Sequence, residues 1–169
     1  MLGRTHKAGG ALAMLVAFHY MYNNGILVDS IHPMVQLLVM YPACSWGSTA
    51  PDLDQSENSI PDKTPVSYLV HKILHIGKIV HRSWQTHSLM VTGTFVAMLF
   101  GLLWYVSQYG VFNLNSVSLT ILQLLLMGVT VGIASHLILD LLTRQGIPLG
   151  PPVKKDGKWK TIHLRLVPD

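Results

Sequence analysis

Asp, Glu, Lys and Arg are missing from three long stretches of this chain, residues 8–28, 30–51 and 83–139. A helix at a water-exposed surface carries a polar face, so segments like these fold most naturally where water is not the solvent. Composition agrees: half the residues are apolar and 12% are charged, against about 25% in soluble domains. A water-soluble globule is disfavoured and disorder is excluded. The third stretch has room for two crossings and divides at residues 109–116, where Gly110, Asn113, Asn115 and Ser116 make a turn. Residues 89–106 and 117–139 each suffice to cross a ~30 Å hydrocarbon core as helices. Residues 8–22 form a shorter span that can extend through Asn23, Asn24 and Gly25. Residues 31–46, interrupted by Pro33 and Pro42, read as a kinked span or a re-entrant arm. The expected fold is an all-α membrane protein, a four-helix transmembrane bundle.

The basic residues orient it. Arg4 and Lys7 precede the first segment, Lys63, Lys72, Lys78 and Arg82 lie between the second and third, and Arg144, Lys154, Lys155, Lys158, Lys160 and Arg165 follow the fourth. Four crossings put all 12 Lys and Arg on one side, which the positive-inside rule makes cytoplasmic, with both termini. Trp104, Tyr105 and Tyr109 then mark the opposite interface. The net charge of +4 is explained by the membrane, and no nucleic-acid partner is expected. No small-x-small site follows the first apolar run, so that segment is expected to be retained rather than cleaved. In the cytoplasmic connection, Val66, Leu69, Val70, Ile73, Leu74, Gly77 and Val80 recur at helical steps, predicting an amphipathic helix at the interface. Residues 150–169 form a basic cytoplasmic tail. There Lys155-Asp156-Gly157-Lys158 signals a small β-hairpin, followed by the alternating run Trp159, Thr161, His163, Arg165.

Ligand-type side chains gather at one membrane face of this topology: His6 before the first helix, Asp52 and Asp54 after the second, His81 and His87 before the third, His136 and Asp140 at the end of the fourth. Cys44 is the single cysteine, so a metal site must draw on His, Asp and Glu. Gly128, Gly132, His136 and Asp140 follow in steps of four, and Gly9, Ala13 and Ala17 make a similar row near His6. Small residues permit close helix approach, so the two rows are expected to pack together and bring His6 to His136 and Asp140. Taken singly, Asp140 reads equally well as an ion pair with Arg144, and Pro51-Asp52-Leu53-Asp54 as a turn with a cap. Together, four imidazoles and three carboxylates suit one or two divalent ions, with zinc, manganese and iron all compatible. His81 and His87 are six residues apart and cannot share a helical face, so a bend between them or a second ion is required. His71 and His75 stand at ligand spacing on the polar face of the amphipathic helix and read as solvated. His19, mid-span, reads as an interhelical hydrogen bonder, and His32 and His163 as surface groups.

The combination of Thr5-His6, Ala50-Pro51-Asp52-Leu53-Asp54, His81-Arg82 with Thr86-His87-Ser88, and Ser135-His136 through Asp140 to Thr143, followed by Gly146-Ile147-Pro148-Leu149, resembles the YdjM-like family of membrane-bound metal-dependent hydrolases. The resemblance runs from His6 to about Leu149, and four motifs in the right order make it specific. It implies a small bacterial or phage inner-membrane protein with its site on the cytoplasmic side. The chain departs from the family at Gln55, where His is common, and at Ser83, where Gly is.

The resulting expectation is a transmembrane metal-dependent hydrolase-like domain over residues 1–149 and a separate tail over 150–169. The ligand candidates are His6, Asp52, Asp54, His81, His87, His136 and Asp140, holding one or two divalent ions, zinc first. Asp54 is expected as ligand or general base, His81 as ligand or general acid, and Arg82 as a catalytic cation. Arg82, Ser88 and Arg144 are the substrate-binding candidates, suited to a phosphoester or lipid-linked substrate among the membrane lipids. The alternative is a non-enzymatic membrane protein whose metal cluster is structural and which presents a cytoplasmic surface to a partner. Oligomeric state is open.

Overall fold

The computed structural model describes residues 3–54, 64–76, 84–109 and 115–167. Six helices are followed by four short strands: α1 (Gly3–Asn23), α2 (Pro33–Gly47), a 3-10 turn (Ala50–Asp54), α3 (Pro65–Ile76), α4 (Trp84–His87), α5 (Leu89–Tyr109), α6 (Ser116–Leu141), β1 (Ile147–Pro148), β2 (Val153–Lys155), β3 (Lys158–Lys160) and β4 (His163–Leu164). Among the described residues, two helices are long and apolar enough to cross a membrane, α5 at mean hydropathy 1.9 and α6 at 2.1. The 15 residues of α2 rise about 22 Å at ~1.5 Å per residue, short of a ~30 Å hydrocarbon core. His32 caps α2 by accepting from the Met34 N–H, and Pro33 takes the first position, where its missing N–H costs nothing. Asn115 caps α6 by accepting from the Ser118 N–H at 2.8 Å.

The core lies where α1, α2 and α6 meet, with Met14, Met21, Met40, Cys44 and Leu124 buried together. The expected partnership of the small-residue rows is corrected here. The Gly128–Gly132 row packs chiefly against α2: a side chain at Gly128 would strike the Met40 carbonyl, and one at Gly132 the Cys44 carbonyl and the Ser48 N–H. The physical reason is that α2 brings small residues of its own, Ala43, Cys44, Gly47 and Ser48, to the crossing, and helix backbones approach closest where both sides lack bulk. Gly9 of α1 meets the Leu139 side chain of α6, and Gly10 meets Ser48 and Ser135. The first turn of α1 is thereby still delivered to the end of α6. Helix α5 touches α6 over a much smaller area than α2 does.

The amphipathic helix is present as α3, with Val66, Leu69 and Ile73 exposed and the other side against the 3-10 turn. The hairpin is present as well. Strands β2 and β3 pair Lys155 with Lys158 around Asp156 and Gly157, both at positive φ, the geometry of a tight two-residue turn. A second pairing joins the tail to the chain after α6, with Ile147 opposite Leu164 and Pro148 opposite His163. The turn that starts it uses Gly146 at φ 62°, where a side chain would meet the Leu164 carbonyl. The Leu166 N–H reaches back to the Leu141 carbonyl at 3.0 Å, so residues 150–167 are fastened to the end of α6.

Candidate metal centre

Four chain segments deliver one cluster. His6 lies in the first turns of α1, Asp52 and Asp54 in the 3-10 turn, His87 at the end of α4, and His136 and Asp140 one turn apart on α6. The 3-10 turn is held in place from α3, where His71 Nδ1 lies 2.8 Å from the Leu53 carbonyl, and α3 is in turn tied to α2, whose Trp46 indole donates to Ser67. His6, Asp52, His87, His136 and Asp140 are each at most 3% exposed, so their polar atoms face one another rather than water.

Distances within the cluster are short. His136 Nε2 is 3.4 Å from Asp140 Oδ2 and 3.8 Å from Asp52 Oδ1. His87 Nε2 is 3.4 Å from Asp52 Oδ1 and 3.8 Å from Asp140 Oδ2. His6 Nε2 is 3.8 Å from Asp140 Oδ1 and 4.0 Å from Asp52 Oδ2, and its ring stacks on that of His136 at 3.9 Å. Burial alone would raise the Asp52 pKa, but the His87 imidazole beside it and the charge that His136 and His6 carry when protonated draw it below the usual carboxylate range.

The tautomer of His136 decides what such a cluster is for. Its Nδ1 lies 2.7 Å from the Ser48 carbonyl, which has no proton to give, so Nδ1 carries the hydrogen and Nε2 presents a lone pair. That lone pair faces two carboxylates and, among the described residues, has no hydrogen-bond partner, and His6 Nδ1 is likewise buried without one. Lone pairs and carboxylates pointing at a common centre repel unless a cation lies among them. Ligands about 2.1 Å from zinc at tetrahedral angles sit about 3.4 Å apart, the separation of the two closest pairs. Two triads meet the requirement for holding an ion, His6–His136–Asp140 and Asp52–His87–His136. The residues present therefore fit a divalent metal.

The family model described as YdjM inner membrane protein matches residues 1–168. The chain belongs to the YdjM inner membrane protein family. No curated protein and no solved structure matched it.

Among the sequence candidates, the YdjM fold brings together His6, Asp52, His87, His136 and Asp140. Asp54 is buried beside them but outside both triads. Its Oδ2 accepts from the Thr86 hydroxyl at 2.5 Å, and the same hydroxyl lies 2.9 Å from His87 Nδ1. His87 Nδ1–H therefore donates to Thr86, which donates to Asp54, leaving His87 Nε2 for the cluster. Ser88 is fully buried, its hydroxyl donating to the Leu149 carbonyl at 3.2 Å. His81 and Arg82, with Gln55 and Ser83, lie outside the described residues. His19 differs from expectation: its ring bonds Asn23 at 3.0 Å on its own helix, since residues four apart lie one above the other on a helix face.

His87 and Asp140 open onto a cleft of about 730 Å³ whose walls include Arg144, Gln145, Thr161, His163 and Arg165. Arg144 was anticipated. Thr161, His163 and Arg165 were not, although their spacing carried the signal: every second residue of an extended segment faces one way. His163 is exposed, as expected, yet lines the cleft, with Nδ1 3.1 Å from the Gln145 carbonyl.

Proposed function

We propose that this family member is a metal-dependent hydrolase at the cytoplasmic face of the inner membrane, acting on an anionic phosphoester at headgroup depth. The observation that carries the reading is the convergence of His6, Asp52, His87, His136 and Asp140 on one buried point beside a basic cleft. With its Nδ1 on the Ser48 carbonyl, His136 has one nitrogen left and can serve one ion. Because His136 belongs to both triads, both converge on a single divalent cation, zinc first among those compatible with imidazole and carboxylate. Bound there, such a cation lowers the pKa of a water towards about 7 and polarises the bond to be cleaved. The chain's own residues do the rest. Arg144 and Arg165 bind and orient the anion, and Thr161 offers it a hydroxyl. His163, with Nδ1 donating to the Gln145 carbonyl, delivers a proton from Nε2 to the leaving group when its ring is protonated, the role the sequence assigned to His81 as the alternative to metal ligation. Asp54 orients His87 through Thr86. On this reading α5 and α6 cross fully, α1 and the shorter α2 complete a four-crossing arrangement with both termini in the cytoplasm, and the cluster lies at the membrane face.

One observation favours a second reading, a structural metal staple: five protein donors are enough to close a coordination shell and leave no position for water. Kinetics with metal analysis separates the two. His136→Ala and Asp140→Ala should each lower metal affinity by at least about 10 to 100-fold, the cost of even an outer-shell change, and abolish phosphoester turnover. Arg165→Ala should keep its metal and raise KM. Full metal retention in both ligand variants removes the site, and metal without turnover on any phosphoester leaves the staple.

A further inference from the structure

Thr86 also lines a second cavity of about 490 Å³, apolar, between α2, α3, α5 and α6, with Trp46, Val70, Phe95, Leu126 and Val129 in its walls. Its size falls within the roughly 300 to 1,000 Å³ of small-molecule sites. Two of its walls are the helices apolar enough to cross a membrane, and α5 packs only lightly on α6, an arrangement that would open the slot to hydrocarbon in a bilayer. At its other end stand Pro51 and Thr86, the latter bonded to Asp54 and His87. His87 in turn lines the cleft that carries Arg144 and Arg165. The adjacent pair Thr86–His87 thus divides an apolar slot from a cationic cleft, and the ligand complementary to both is an anion carrying a hydrocarbon chain.

We propose that the slot is an acyl-chain site, occupied by one chain of an anionic glycerophospholipid whose phosphate lies in the Arg144–Arg165 cleft. This rests on the hydrolase reading and names the substrate class for it. The test uses the full chain in detergent with Trp84, Trp104 and Trp159 changed to Phe, so that Trp46 alone reports. The probe is phosphatidylglycerol brominated at mid-chain, with brominated phosphatidylcholine as the uncharged-headgroup comparison, and metal content and phosphoester turnover are measured on the same samples. Trp46 fluorescence should be quenched with saturation near about one phosphatidylglycerol per chain, more weakly by phosphatidylcholine. Val129→Phe and Val70→Phe, which fill the slot from different helices, should each cut the quenching by about half or more while retaining metal. Arg144→Ala with Arg165→Ala should erase the preference for phosphatidylglycerol. Absent quenching, equal quenching by the two lipids, or unchanged quenching in both filled variants overturns the proposal. The same holds for a slot closed by a second copy of the chain, read as a concentration-dependent cross-link. Turnover intact with quenching lost counts against the slot alone, and quenching intact with neither metal nor turnover counts against the hydrolase reading alone.

Discussion

Asp54 and Asp52 are two residues apart and do different things, because one reaches the cluster and the other reaches Thr86. Asn at position 54 keeps an oxygen that can accept from Thr86 but loses the charge that steadies the His87 N–H. Asp54→Asn and Thr86→Val should therefore weaken metal binding by roughly 10-fold or more and leave turnover near the wild-type value once metal is saturating. A general base would behave otherwise, with turnover at saturating metal falling by about 10² to 10⁴. Measuring turnover against metal concentration in both variants distinguishes them. The five clustered donors were legible in the sequence because His and Asp are conspicuous at the ends of apolar segments, where an ionisable group is costly without a partner. The part played by Thr86 was not, since a hydroxyl beside a histidine has no spacing signature. Nor was that of His71, whose hold on the Leu53 carbonyl depends on where α3 lies.

Helix α6 is the element on which the site depends, since it carries two ligands and packs against both α1 and α2. Its glycines set the depth of that packing. Gly132→Val would drive a branched side chain into the Cys44 carbonyl and the Ser48 N–H, and Ser48 is also the residue whose carbonyl orients His136. The variant should lose at least about 1 to 3 kcal/mol of stability from overpacking and lose metal with it. Thermal unfolding in detergent, followed by metal analysis, checks this; wild-type Tm with a full metal complement would show that the crossing is not tight. The row of small residues on α6 could be read from its four-residue step, but its main partner could not. Helix α2 hides its own small residues, Ala43, Cys44, Gly47 and Ser48, behind Pro42, which breaks the pattern a reader follows. The tail posed a similar difficulty. The turn Asp156–Gly157 has a local signature, whereas the pairing of His163–Leu164 with Ile147–Pro148 is non-local, so the residues it swings over the cleft were visible only as an alternation.

At the scale of the molecule, charge asymmetry and the cluster have to agree on which side of the membrane the site faces. Every Lys and Arg falls in the first turns of α1, between α2 and α5, or after α6, so fusions after Asp169 and within residues 113–116 should report opposite sides. The same side for both would remove a crossing from the α5–α6 pair and with it the common face on which His6, His87 and Asp140 meet. On the proposed reading, one divalent ion held by this buried cluster makes the chain a hydrolase. The most direct measurement is turnover of a phosphoester by the purified protein after chelation, as metal is restored stepwise and bound metal is counted in parallel. Activity should vanish with the metal and return in proportion to occupancy, saturating at about one ion per chain. Turnover indifferent to chelation, or full occupancy with no turnover, would contradict it.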